Sequence, residues 1–196
     1  MIDRSGEGVL GSRVSMDTSL IYHEFTDSLW VRCSNRGCFI NSPSLKAIAD
    51  KYLEKGGTRI VIDMELCPGV DSTFMGTLAG IARLCMAAGG SLEVAQPTAR
   101  TRAAMESLGL DMLLSIDPAD ADWRADLDTR RAAMAQDAAA LPDASPLNET
   151  DRTRHVLEAH NTLRSMNKKN DETFGYVCET LEGDLARHTG EDKTHA

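Results

Sequence analysis

The chain has 196 residues, 42% of them hydrophobic and 5% aromatic, which suits one compact domain with an appendage or two small domains. Its formal charge of −9 argues against a nucleic-acid binder, whose footprint is a basic stripe. No apolar run nears the ~20 residues that cross a bilayer, so membrane insertion is not expected.

The charge is uneven. Residues 1–118 carry 11 basic and 14 acidic side chains, and residues 119–196 carry 10 and 16, so the composition shifts near Asp117-Pro118. Five cysteines (Cys33, Cys38, Cys67, Cys85, Cys178) are odd in number and form no CxxC pair. They read as reduced, mostly buried thiols rather than a disulfide framework. The N-terminus lacks the apolar core of a signal peptide, and cytoplasmic residence is the expectation.

Residues 1–18 mix Gly, Ser and charges without a period and read as a mobile arm. Leu20 to Phe25 and Leu29 to Cys33 are strand candidates joined by a turn at Asp27-Ser28, a hairpin pattern. Ser42-Pro43 starts a helix, with Ser42 placed to cap it and Pro43 suited to the first turn. Leu45, Ile48, Ala49, Tyr52 and Leu53 share one face of that helix, and Gly56-Gly57 ends it. Arg59 to Met64 is nearly all apolar and suits a central strand buried on both faces.

Ser72 to about Ala88 is the most apolar helix candidate. Met75, Leu78, Ala79, Ala82 and Cys85 make one stripe, and Phe74, Thr77, Ile81, Leu84 and Ala88 a second. One stripe meets a sheet. The other is a surplus that implies a cover or a partner. Ser91 to Ala95 is a further strand, about Ala99 to Leu108 a third helix, and Leu113 to Ile116 a short last strand. The order β-β-α-β-α-β-α-β predicts an α/β fold, a mixed four- to five-stranded sheet with parallel pairs covered by helices.

Residues 119–147 read as a linker, partly helical, because the Ala- and Asp-rich stretch to Ala140 has a thin apolar face and Leu141 to Pro146 is turn-rich. Glu149 to Asn167, capped by Asn148, and Asp171 to His188 are two helices of a C-terminal hairpin spanning 148–190, with a tail at 191–196. Val156, Ala159, His160, Leu163 and Met166 share one side of the first helix. Phe174, Val177, Cys178, Leu181 and Leu185 share one side of the second. A lone hairpin buries neither stripe well, so it docks on the domain or pairs with another copy of the chain.

No nucleotide-binding glycine loop, hydrolase elbow or metal-ligand spacing is present. His155 and His160, five apart, read as satisfied surface histidines. Cys67 beside Pro68 is a packed thiol or, less simply, a reactive one near a helix start. Asp63 and Glu65 lack a visible facing cleft for acid/base work. No catalytic set and no cofactor is expected, and the chain does not read as an enzyme.

The stretch that organises the rest is Cys67-Pro68-Gly69-Val70-Asp71-Ser72-Thr73-Phe74-Met75-Gly76, a strand-to-helix turn. A hydroxyl there is first of all an N-cap, since its oxygen accepts an unpaired N–H of the first helical turn. The turn Val70-Asp71-Ser72-Thr73-x-Met75-Gly76, the strand Ile60 to Met64, and Thr101-Arg102-x-x-x-Glu106-Ser107-Leu108-Gly109-Leu110 together resemble the STAS family, the sulfate-transporter and anti-sigma-factor-antagonist domains. The resemblance covers about Ser19 to Asp117 and implies a STAS-like domain over 19–118. The family turn commonly has Gly-Leu-Gly after the hydroxyls. Here Phe74 replaces the first Gly and Met75 the Leu. Met conserves volume, whereas the Phe74 ring lines a partner site or obstructs a kinase.

The resemblance implies an anti-sigma factor antagonist acting by partner switching. Ser72 is then the phosphorylation site, with Thr73 the lesser candidate. Asp71, Ser72, Thr73, Phe74, Thr77 and Leu78 form the partner surface, and a combined serine kinase and anti-sigma factor is the partner, carrying the ATP and Mg²⁺ itself. The alternative is a constitutive, non-phosphorylated STAS scaffold in a transport or stress-signalling complex, with Ser72 a plain helix cap.

Overall fold

The structure, a computed structural model, describes residues 20–141 and 147–191, with side chains described to 187. The expected arm at 1–18, the turn-rich segment 142–146 and the tail beyond 191 lie outside the described residues.

Six strands form one sheet in the order β5-β4-β3-β2-β1-β6: β1 (Leu20–Glu24), β2 (Leu29–Cys33), β3 (Arg59–Asp63), β4 (Ser91–Ala95), β5 (Ser115–Ile116) and β6 (Ala139–Ala140). β1 and β2 are the antiparallel hairpin read from Asp27-Ser28. β2 to β5 run parallel, as strands joined through helices must. The sixth strand goes beyond the expected four or five. It is only Ala139-Ala140, held antiparallel to Ile21 and Tyr22 at the sheet edge, and two alanines carry no strand signal.

The helices are α1 (Ser42–Glu54), α2 (Ser72–Ala87), α3 (Ala99–Ser107), α4 (Leu127–Asp137), α5 (Glu149–Arg164) and α6 (Lys168–Glu191). Gly56 and Gly89 follow α1 and α2 with φ of 88° and 74°, the left-handed conformation that glycine adopts without a Cβ penalty.

Alternation along the strands sorts side chains to two faces. Leu29, Val31, Ile60, Ile62, Leu92 and Val94 face α1, α2 and α3 and form the main core with Leu45, Ile48, Leu78, Ala82 and Met105. Trp30, Val61 and Ala95 face the other way and meet Trp123, Leu127 and Met134. β3 is thus central and apolar on both faces.

The segment treated as a linker is therefore a layer of the fold as far as Leu141. Trp123 crosses Trp30 edge-on with ring centroids 5.8 Å apart and donates its indole N–H to Glu93 at 2.6 Å. Arg131 of α4 grips the fully buried Asp63 with two hydrogen bonds of 2.9 and 2.8 Å. The thin apolar stripe misled because arginine covers this face as much as alkyl side chains do.

α5 and α6 form the expected helical hairpin. α5 lies on the outer side of α2, and α6 packs on α5, so α2 is sandwiched between the sheet and α5. The docking alternative read from the sequence is the arrangement seen. Asn170, fully buried at the hairpin corner, donates to the carbonyls of Leu108 and Leu163 at 2.9 and 3.1 Å, pinning the hairpin to the end of α3.

Candidate functional site at Ser72

Two loops build the site. The backbone of Gly37 donates to the Gly69 carbonyl at 3.1 Å and accepts from Asp71 N–H at 3.0 Å. This lacing ties the loop before α1 to the loop before α2. Phe74 packs its ring against Gly37, where an added Cβ would sit 2.9 Å from the ring carbons. A side chain at Gly37 would have to displace that buried ring.

Asp71, not Ser72, caps α2. One carboxylate oxygen accepts the Phe74 N–H at 2.8 Å, and the other accepts the Phe39 N–H at 2.9 Å. The expectation that Ser72 is the cap is corrected on this geometry. A carboxylate is the stronger acceptor at the positive end of a helix, and with the cap taken by Asp71 the first helical residue keeps its hydroxyl free of the backbone. α1 departs in the same way. Asn41 occupies the cap position without a side-chain cap bond. Ser42 sits one residue inside and contacts His155 at 2.8 Å.

The Ser72 hydroxyl meets His160 of α5, with Oγ and Nε2 3.0 Å apart. His160 Nδ1 lies 2.8 Å from the Val156 carbonyl. A carbonyl only accepts, so Nδ1 carries the proton there. In the neutral ring Nε2 is then the acceptor, and Ser72 donates to it. His155 makes the companion contact, reaching Ser42 Oγ at 2.8 Å and Thr77 Oγ1 at 3.4 Å. Burial pushes the His155 imidazole down from its ordinary range, and Lys46 pushes in the same direction.

Both histidines are buried, which corrects their reading as surface side chains. Five residues apart they diverge by about 140° around a helix, and that divergence lets one helix sunk into a groove touch both walls. Ala159 lies between them. A Cβ built on Gly76 of α2 would overlap the Ala159 carbonyl, so the α2 and α5 backbones approach as closely as they do only because residue 76 is glycine. The signal that could have found this contact is the pair of histidines flanking an alanine on an otherwise charged helix.

Ser72 and Asp71 are half-buried. Thr73 and Thr77 are 4% and 5% exposed, and Phe74 and Leu78 are wholly buried. The partner surface drawn around Phe74 and Leu78 is therefore not on the exterior in this arrangement. The exposed apolar side chains beside the site are Phe39 and Ile40, 41% and 63% exposed, which the sequence reading did not single out.

The other chemical candidates are held in structural roles. Asp63 is neutralised by Arg131 and by Arg32, whose Nε lies 3.6 Å away, and Glu65 also pairs with both arginines. Cys67 is 1% exposed. The nearness of Cys33 pulls the Cys67 thiol below its ordinary value and pushes that of Cys33 up, but burial shields the pair from reagents. Among the described residues no three metal-ligating side chains gather, and no helix is long and apolar enough to cross a membrane.

The family model for the MlaB STAS domain matches residues 40–115, which hold α1, β3, the Ser72 turn, β4, α3 and the start of β5. Over that segment the chain is similar to STAS domains. Among solved structures the chain is similar to a candidate anti-sigma factor antagonist of Thermotoga maritima, with 21% identity over 56% of this chain and 93% of that one and a TM-score of 0.48. It is also similar to the anti-sigma factor antagonist SpoIIAA in its unphosphorylated form, with 18% identity, 57% and 97% covered and a TM-score of 0.46. The Bacillus SpoIIAA structure in the phosphorylated form gives 18%, 57% and 99%, and 0.45. No curated protein matches the sequence.

Proposed function

We propose that this protein is an anti-sigma factor antagonist that works by partner switching, with phosphorylation of Ser72 as the control. The observation that carries the reading is the division of labour at the start of α2. Asp71 caps the helix, so modifying Ser72 removes no helical hydrogen bond. A phosphate adds a charge of about −1.5 to −2 at pH 7, and a helix N-terminus tolerates an anion. Phosphorylation at this position therefore changes the surface and leaves the domain folded.

The partner is a protein that is both serine kinase and anti-sigma factor. It supplies ATP and Mg²⁺ and engages the dephosphorylated form around Asp71, Ser72 and the exposed Phe39-Ile40 loop. The deeper side chains named from the sequence, Thr73, Phe74, Thr77 and Leu78, support this surface from beneath. The test is binding to the kinase captured from native extract by cross-linking and identified by mass spectrometry. Ser72→Ala retains binding and Ser72→Asp weakens it at least tenfold. Equal binding by the two variants refutes the switch.

A second reading, a constitutive scaffold, draws on the cover that α5 places over Ser72. It requires a co-purifying partner whose binding is insensitive to Ser72→Asp.

A further inference from the structure

α5 meets α2 through unusual chemistry for a permanent interface. Its buried side chains are His155, Ala159, His160 and Leu163. Three of its contacts on α1 and α2 are hydrogen bonds between an imidazole and a hydroxyl (Ser42, Ser72 and Thr77). Such bonds contribute only about 0.5–1.5 kcal/mol each, because water replaces them when the surfaces part. α5 also leaves space beneath it. A cleft of about 280 Å³ opens between α1, α2 and α5, bounded by Lys46, Gly80, Ile81, Leu84 and Glu158. The outer face of α2 is cut for a helix, with Gly76 at the crossing and Gly80 one turn on, where an added Cβ would meet nothing within 4 Å.

We propose that the α5–α6 hairpin is a removable cover whose docking and the phosphorylation of Ser72 exclude each other. The inference rests on the reading of Ser72 as the phosphosite and adds the element that phosphorylation moves. In the docked state the Ser72 hydroxyl donates to His160, and the imidazole fills the space in front of Oγ. Phosphorylation transfers the γ-phosphoryl of ATP to Ser72 Oγ. The O–H proton leaves to the kinase's base, an O–P bond forms, and the P–O bond to ADP breaks. The product has lost the donor that held His160, and the phosphoryl group occupies the place of the ring. The hairpin must move away for the kinase to reach Ser72, and it cannot settle back while the phosphate stays. Its departure uncovers the Gly76 to Gly80 face of α2.

Hydrogen–deuterium exchange on the full chain tests this, with phosphoserine installed at position 72 during translation. Phosphoserine speeds amide exchange across 149–164 at least tenfold, while β3 and β4 keep their protection. Gly76→Leu, which drives a side chain into the Ala159 backbone, gives the same pattern without any phosphate, and Gly80→Ala leaves α5 protected. Unchanged protection of α5 in the phosphoserine protein overturns the exclusion, and it does so whether or not cells phosphorylate Ser72. Loss of protection throughout the phosphoserine protein also overturns it, because the cover would then be part of the core. The absence of phosphate on Ser72 in cells would remove the reading of the phosphosite, yet the Gly76→Leu result would still report whether the hairpin detaches.

Discussion

Two elements beyond residues 40–115 cover opposite sides of the sheet, and they do so by different chemistry. α4 lies on the far face of the sheet and is fastened by charge and aromatic rings. Arg131 holds a carboxylate with no exposure, Trp123 is bonded to Glu93, and the chain goes on to add a strand to the sheet. α5 lies on α2 and is fastened by imidazole–hydroxyl bonds around a glycine crossing, by Leu163 in the main core and by the buried Asn170 at the hairpin corner. A buried ion pair is costly to break, because one partner is left charged without water. A hydroxyl and an imidazole on parting surfaces are simply rehydrated. On the proposal above, the first element stays and the second leaves.

The largest effect is expected where that contrast is strongest. Arg131→Ala strips the bidentate partner from Asp63, leaving the 3.6 Å approach of Arg32 and the Glu65 N–H at 3.1 Å, and should cost about 3–5 kcal/mol. Urea unfolding measures it. A loss below about 1 kcal/mol would mean that α4 is no more firmly attached than α5.

Next comes Gly76→Ala. In an exposed helix interior this change stabilises by about 1 kcal/mol, but here the new Cβ meets the Ala159 backbone. The expected outcome is faster exchange in α5 with the midpoint of the α/β unfolding transition unchanged or raised. Gly80→Ala, which meets no obstacle, should raise stability by up to about 1 kcal/mol and leave α5 in place. Equal behaviour of the two glycine variants would erase the distinction between crossing and cleft.

A smaller effect follows from pH. The docked state holds His155 below its ordinary pKa of 6.5 through burial and Lys46. The released imidazole recovers the ordinary value, so release takes up a proton. Docking is at full strength above about pH 6.5 and weakens as pH falls from there toward the lowered value, by at most tenfold, or about 1.4 kcal/mol, per pH unit. Exchange in α5 measured from pH 7.5 to 5.5, after correction for intrinsic rates, should show this slope, and His155→Asn should flatten it. Lys46, Arg83 and Glu158 line the same cleft, so a slope that persists in His155→Asn would assign the titration to another group.

The sheet, three of its covering helices and the hairpin were legible in the chain because their signals are local: period-2 strands, the Leu45-Ile48-Ala49 stripe, the glycines after α1 and α2. The site was legible in part. The turn around Ser72 stood out by its residues, and the surplus stripe on α2 announced a cover, although Leu84 and Ala88 of that stripe are exposed. What the sequence hid are choices between neighbours. Asp71 and Ser72 are both good caps, and only the second bond of Asp71, to Phe39 N–H across 32 positions, decides between them. Phe74 looked like a surface ring because glycine is usual there. It is buried because Gly37 leaves room above it. The histidines were dismissed by their spacing, since five residues do not make one face, whereas a helix in a groove uses more than one. The α4 layer gives a weak signal because only Leu127 and Met134 make its apolar face, and Arg131 and Trp123 supply the rest of the attachment.

The most direct test of the central claim is peptide mass spectrometry of the protein isolated from its native cells across growth and stress conditions, with Ser72→Ala as control. The account predicts phosphate on Ser72 and none on Thr73, whose side chain is 4% exposed. Phosphate on Thr73 instead, or no phosphate under any condition, would contradict it and leave Ser72 as the hydroxyl that fastens a permanent helix.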